Sequence, residues 1–217
     1  MSYVNRLFKL DRVFPHLRKD RFAITQTIVL LAGERPLKKI LVLYATREGQ
    51  THKIADRIAQ HLSLDNSQVQ LLNAREVELT AQLDLESFDL LIFGASMHAG
   101  GLEPEIIKFV NQHRQIIAQQ QRSFFLVLLS AATKDDQLRS TWLADALKKM
   151  KQQIQVEFQD IELIAGALQY SKYPLPLKWV MKRIAQQAGE GTDFSQDYEY
   201  TDWEQVKAYA DRLGAIA

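Results

Sequence analysis

The chain has 217 residues, 47% of them hydrophobic, enough for one domain with a buried core and too few for two of ordinary size. Its 27 basic and 26 acidic residues leave a net charge of +1, which gives no general attraction for nucleic acid, and none is expected as a partner. The absence of cysteine excludes disulfides, thiolate metal sites and cysteine-ligated iron–sulfur clusters, and five histidines without a zinc spacing leave no metal site expected.

The first 37 residues begin with Arg6, Lys9, Arg12, Arg18, Lys19 and Arg21, followed by the short apolar run Phe22 to Gly33. That order has the outline of a signal peptide, but Thr25, Gln26 and Thr27 interrupt the run and Asp11 and Asp20 lie among the bases. Residues 1–37 therefore read as a poorly ordered N-terminal arm, and "LKKILVLY" at Leu37 as the natural opening of a domain over residues 38–217. No apolar run approaches the ~20 residues that a membrane-spanning helix requires.

From Lys39 the elements alternate. "KILVLYA" is a continuous apolar run, the pattern of a strand buried on both faces, and Ile54, Ala55, Ile58, Ala59 and Leu62 then repeat at helical spacing between Gln50 and Leu62. "QVQLLNA" and "FDLLIFGAS" give a second and a third strand. A helix follows with Ile106, Phe109, Val110, His113, Ile116 and Ile117 on one face, started by Glu103, Pro104 and Glu105. "SFFLVLLSAA" is the fourth strand, Gln137 to Lys149 a helix, and "IELIAGALQY" the fifth strand. The last helix opens at "YTDWEQV", where Thr201 and Glu204 have the spacing of a capping box. Five strands alternating with helices predict an α/β fold with a doubly wound parallel sheet.

In such a sheet, ligands bind at the carboxyl ends of the strands, where strand order reverses. Three loops qualify: Thr46 to Thr51, Ser96 to Gly101 and Ser130 to Thr133. The first, "TREGQT", has Thr46 and Thr51 as hydroxyl donors, Gly49 for close backbone approach, and the free N–H groups of a helix starting near Gln50, which together suit a phosphate. It lacks the lysine and spaced glycines of a P-loop, and no G-x-G-x-x-G follows the first strand, so a phosphomonoester fits better than a triphosphate or a dinucleotide. The second loop, "SMHAGG", reads as small and flexible apart from Met97 and His98, which can cover one face of a flat ring.

An apolar strand followed by "TREGQT", then "FGASMHAGG", then "SAATK", on a five-stranded sheet resembles the flavodoxins. "IAGALQY" and "YTDWEQV" make it similar to one branch, the quinone-dependent protoporphyrinogen IX dehydrogenases of bacterial haem synthesis. The resemblance covers Lys38 to about Leu213 and implies FMN as cofactor, held by Thr46, Arg47, Glu48, Gly49, Gln50 and Thr51 of the first loop, Ala95, Ser96, Met97, His98, Ala99 and Gly100 of the second, and Ser130, Ala131 and Ala132 of the third. It implies oxidation of protoporphyrinogen IX with menaquinone or ubiquinone as acceptor, with no catalytic residue assigned. In place of the aromatic or arginine-aromatic pair common in the family's second loop, this chain has Met97, His98 and Ala99, which implies a different arrangement around the ring.

Between "IAGALQY" and "YEYTDWEQ" lies an insertion over residues 171–197 that a minimal flavodoxin does not need. No acid occurs from Leu163 to Gly189, while Lys172, Lys178, Lys182 and Arg183 are basic. On a helical wheel Leu177, Val180, Met181, Ile184, Ala185 and Ala188 share one arc, and Lys178, Lys182, Arg183 and Gln186 the other, with Trp179 on the basic side. Such a helix either packs on its own domain or lies on an anionic membrane surface. With the family reading, Tyr170, Lys172, Tyr173, Lys178, Trp179, Lys182 and Arg183 become contacts for substrate or membrane, and the expected location is cytoplasmic, peripheral to the inner face of the cell membrane. A homo-oligomer stays open. An electron-carrier flavodoxin is the first rival, disfavoured because such carriers are strongly acidic; a nicotinamide-fed quinone reductase and a domain without flavin are the others.

Overall fold

The computed structural model describes residues 37–64, 67–98, 101–173, 175, 178–179, 182, 186, 193 and 195–216. The chain divides into two units, Met1–Leu37 and Lys38–Ala217. The arm expected over residues 1–37 lies, but for Leu37, outside the described residues.

Eight strands are described: β1 (Lys38–Ala45), β2 (Ser67–Asn73), β3 (Leu90–His98), β4 (Gly101–Leu102), β5 (Arg122–Leu128), β6 (Asp160–Ala165), β7 (Ala167–Leu168) and β8 (Tyr198–Glu199). The helices are α1 (Gln50–Ser63), α2 (Val77–Ala81), α3 (Pro104–Gln112), α4 (Arg114–Ile117), α5 (Asp136–Gln153) and α6 (Trp203–Ile216). The main sheet runs β2-β1-β3-β5-β6 with every neighbouring pair parallel, and β4 adds to β3 as a short antiparallel partner. The five long strands are those expected from the sequence. Strand order reverses between β1 and β3, so the crevice beyond Ala45 and His98 is where this architecture receives a ligand.

Period-two alternation divides the core into two layers. Leu41 and Leu43 of β1 join Leu91, Phe93, Phe124 and Leu126 beneath α3 and α5, where Ile106, Val110 and Met150 pack against them. Ile40 and Val42 join Ile92, Phe125 and Val127 on the other face, under Ile54 and Ile58 of α1 and Val206, Tyr209 and Leu213 of α6. A strand buried on both faces has no polar alternation to show, which explains the unbroken apolar runs.

Besides the helix expected from Glu103 through Ile117, which breaks at His113 into α3 and α4, four boundaries differ from the sequence reading, each for a local reason. β3 runs on through Met97 and His98 because Met97 pairs with Leu102 and His98 with Gly101, so part of the expected second loop is a hairpin arm. β5 stops at Leu128, and Leu129–Ala132 form a 3-10 turn in place of more strand. "IELIAGALQY" is not one strand: β6 ends at Ala165, Gly166 fits tightly against Val127, and β7 pairs with β8 in a separate two-stranded sheet. At the last helix, Asp202 supplies the cap, accepting from the Glu204 and Gln205 amides at 2.9 and 3.1 Å. Thr201 instead donates to the Ala165 carbonyl at 2.7 Å, so the expected capping box does not form.

Candidate functional site

The strand ends and the insertion enclose a cavity of about 370 Å³. Thr46, Glu48, Gln50 and Thr51 line it, as do Ser96, Met97 and His98. Val127, Leu128, Leu129, Trp142 and Ala146 give it apolar surface, and Ser130, Thr133, Asp145, Gly166, Ala167 and Tyr173 complete the lining. A cavity of this size, apolar with a few polar groups converging on one end, is the usual form of a small-molecule site.

The first loop is set by Gly49, the N-cap of α1, whose φ of 109° is a left-handed conformation that disfavours other residues. Its amide donates to Thr46 Oγ1 at 2.9 Å, which folds the loop back on itself. Beyond it, Gln50 and Thr51 begin a 14-residue helix whose first-turn amides have no intrahelical acceptor. Thr51 is 1% exposed and its hydroxyl has no partner, and the same is true of the fully buried Thr133 hydroxyl. Gln50 donates to Thr201 Oγ1 at 2.9 Å while its Oε1 is buried without a partner. Buried polar atoms left unpaired are costly, and several converging on one cavity point to a ligand that completes them.

A second polar cluster stands next to it. Glu103, the N-cap of α3, is 1% exposed and its Oε1 accepts from Ser96 Oγ at 3.2 Å and pairs with His98 Nε2 at 3.0 Å. Arg47 reaches the same oxygen at 3.4 Å and Arg75 the other at 3.5 Å, so the buried carboxylate is neutralised from three elements. Glu48 lies 3.8 Å from His98 Nε2 and closes the rim. Nε2 of His98 also lies 3.1 Å from Ser96 Oγ, so Ser96, His98 and Glu103 form one hydrogen-bonded cluster.

Thr46, Glu48, Gln50, Thr51, Ser96, Met97, His98 and Ser130 of the sequence-based set thus line one cavity, with Gly49 shaping the loop beneath. Arg47 turns to Glu103. Ala95 is fully buried in the core, Ala131 packs against that core, and neither they nor Ala132 line the cavity. Ala99, Gly100 and Arg183 lie outside the described residues. Trp142, Asp145, Thr133 and Glu103 are additions. Trp142 and Tyr173 supply aromatic surface that the second loop lacks.

The insertion's root also departs from expectation. Tyr170 is fully buried, edge-on to Tyr173 and Tyr198 with ring centroids 6.3 Å apart in each case, so it supports the insertion from within and offers no surface to a substrate or membrane. Lys172 donates to the Glu48 carbonyl and so sits on the first loop. Burial, followed by the Glu48 carboxylate, pushes the Tyr173 phenol up to about 12. Leu175, Lys178, Trp179, Lys182 and Gln186 are helical; Trp179 is 66% exposed and the Lys182 ammonium stands 6.0 Å from its ring centroid. The apolar arc from Leu177 to Ala188 lies outside the described residues.

The family model for the flavodoxin domain matches residues 41–195. The chain belongs to the flavodoxin family. Within it, the chain is 30% identical over 178 residues to a protein of Escherichia coli K12 named protoporphyrinogen IX dehydrogenase [quinone], covering 82% of this chain and 96% of that one. A Leishmania major protein of the same name is 28% identical over 186 residues, covering 86% and 78%. The crystal structure of oxidised flavodoxin 1 from Bacillus cereus aligns with 14% identity over 82% of this chain and 96% of that one, at a TM-score of 0.45. Membership in this family makes the chain an oxidoreductase of the flavin-dependent kind.

Proposed function

We propose that the protein oxidises protoporphyrinogen IX to protoporphyrin IX in haem biosynthesis, using FMN in the cavity and passing the electrons to menaquinone or ubiquinone. One observation supports the cofactor reading: Thr51 and Thr133, whose buried hydroxyls have no partner among the described residues, line a cavity whose lining is otherwise largely apolar, which suits a phosphorylated flavin. The relatives named for this reaction support the substrate and the acceptor. A bound flavin supplies the two-electron acceptor that this chain's own side chains lack.

In this reading the first turn of α1, Thr46 and Thr51 hold the phosphate, and Gly49 admits it close to the backbone. Met97, Leu129, Trp142 and Tyr173 exclude water from the ring. His98, held at Nε2 by Glu103 and Ser96, lines the same cavity. Lys178, Trp179, Lys182 and Arg183 meet the acidic headgroups of a membrane or the propionates of the substrate, which brings a lipid-dissolved quinone to a domain whose described helices are none of them long and apolar enough to cross a membrane. The balanced charge of 27 bases and 26 acids disfavours the electron-carrier alternative.

Anaerobic mixing of the flavin-loaded protein with protoporphyrinogen IX and a quinone, followed by porphyrin fluorescence, tests the reaction. Quinone-dependent porphyrin above the spontaneous rate is expected; its absence overturns the assignment. Replacing Lys178, Lys182 and Arg183 together by Glu is expected to abolish sedimentation with anionic vesicles and leave flavin bound, and unchanged sedimentation removes the membrane role.

A further inference from the structure

The first loop holds one basic residue of its own, and the helix after it begins with two more, yet all three are committed elsewhere. Arg47 is drawn to the buried Glu103 at 3.4 Å. His52 Nδ1 pairs with the Tyr44 hydroxyl at 2.9 Å, and Lys53 Nζ with Glu199 at 3.0 Å. What the loop itself offers an anion is neutral: the α1 amides and the Thr46 and Thr51 hydroxyls. Thr51 Oγ1 is the independent sign that an anion or its ester belongs there, since it is buried to 99%, lacks any partner and lines the cavity.

The charge that does reach this loop comes from the insertion, 124 residues further along the chain. Lys172 Nζ donates to the neutral Glu48 carbonyl and stands 3.6 Å from where a Cβ on Gly49 would lie, the nearest atom to that bare face. The turn carrying it is fixed: the Lys172 amide donates to the Gln169 carbonyl at 3.0 Å, and the Ser171 amide to Asp197 at 2.8 Å. Asp197 also accepts from the Ser171 hydroxyl and attracts the Lys172 charge, and Tyr170 anchors the turn from inside the fold. The carboxylate of Glu48 stays on the rim beside His98 and Tyr173.

We propose that Lys172 is the cationic ligand of the flavin's terminal phosphate, so that the insertion supplies the charge by which the site selects FMN over riboflavin. This rests on the flavin reading of the cavity and deepens it: an ammonium with three donors, whose one hydrogen bond among the described residues goes to a carbonyl, has donors left for a phosphate, and a phosphate dianion at the helix start gains a full positive charge besides the helix dipole. It also ties the insertion's first turn to cofactor occupancy, because the phosphate then bridges α1 and Lys172.

The test is titration of flavin-free wild type, Lys172→Met and Lys172→Arg with FMN and with riboflavin, followed by flavin fluorescence at low and high salt. Charged hydrogen bonds at a partly exposed site predict that Lys172→Met weakens FMN about tenfold and riboflavin less than about twofold, and flattens the salt dependence, while Lys172→Arg retains most FMN affinity. Because riboflavin is measured on the same variant, damage to the fold lowers both affinities and is told apart. Equal losses for both flavins, or an unchanged FMN affinity, overturn the assignment. Wild type that binds riboflavin as tightly as FMN overturns it too while leaving the flavin reading intact, and wild type that binds neither flavin overturns both.

Discussion

The two polar clusters beside the cavity are finished in different ways. Around Glu103 both carboxylate oxygens are met from within the chain, by Ser96, His98 and Arg47 on one side and Arg75 on the other. Around Thr51 and Thr133, groups equally buried are left without partners. The first cluster is a structural brace that joins the ends of β1, β2 and β3 to the start of α3. The second is complete only with something the chain does not supply, and this contrast locates the ligand more sharply than the cavity's outline does.

If the brace is structural, breaking it harms the fold more than the ligand. Replacing Arg47 and Arg75 together by Ala leaves the Glu103 charge buried and is expected to cost about 3 kcal/mol in urea unfolding, with FMN affinity changed less than threefold. The first loop predicts the reverse pattern. Gly49→Val forces a β-branched residue to φ 109° and fills the face where a phosphate approaches, so FMN binding falls about 100-fold or more, whereas Glu48→Ala costs less than about threefold. Comparable losses in fluorescence titration mean that this loop does not hold the phosphate. Ser96→Ala removes the contacts of its hydroxyl with Glu103 and His98 from the closed cluster and should destabilise the flavin-free protein by about 1 kcal/mol.

The smallest effect concerns pH. In the folded state the Tyr173 phenol stays protonated to about 12, because burial and then Glu48 disfavour its anion, while in the unfolded chain it ionises near its ordinary value of 10.0. The unfolded state therefore releases a proton first, and stability falls as pH rises from about 10 to 12. Tyr209, raised as well by burial, adds to the same alkaline loss. Tyr173→Phe is expected to make the decline between pH 9 and 11 shallower without abolishing it, as read by urea midpoints.

Much of the fold was legible because the signals were local. The five long strands announced themselves as apolar runs, and Ile54, Ile58 and Leu62 marked α1 by period. The break at Gly166 was not legible, since "IAGAL" is equally apolar on both sides, and what separates β7 from β6 is a partner 30 residues away, Tyr198 paired with Leu168. The helix cap failed for a related reason: Thr201 and Asp202 are adjacent candidates, and only the nearby Ala165 carbonyl decides that the threonine is used elsewhere. In the site, the first loop could be read because it is contiguous. Trp142 could not, because one face of α5 is chosen by the sheet beneath it, and Glu103 looked like an ordinary acidic helix start until Arg47, Arg75 and His98 were seen to converge on it.

Thr51→Val is the most direct test of the claim that the unpaired groups belong to a ligand, since valine keeps the shape and removes only the hydroxyl. Urea unfolding is measured without and with saturating FMN. The account predicts that the flavin-free variant is more stable than wild type by about 1 kcal/mol, because a buried unpaired hydroxyl is gone, and that its stabilisation by FMN is smaller. A flavin-free variant that is less stable, with the same gain from FMN as wild type, contradicts it.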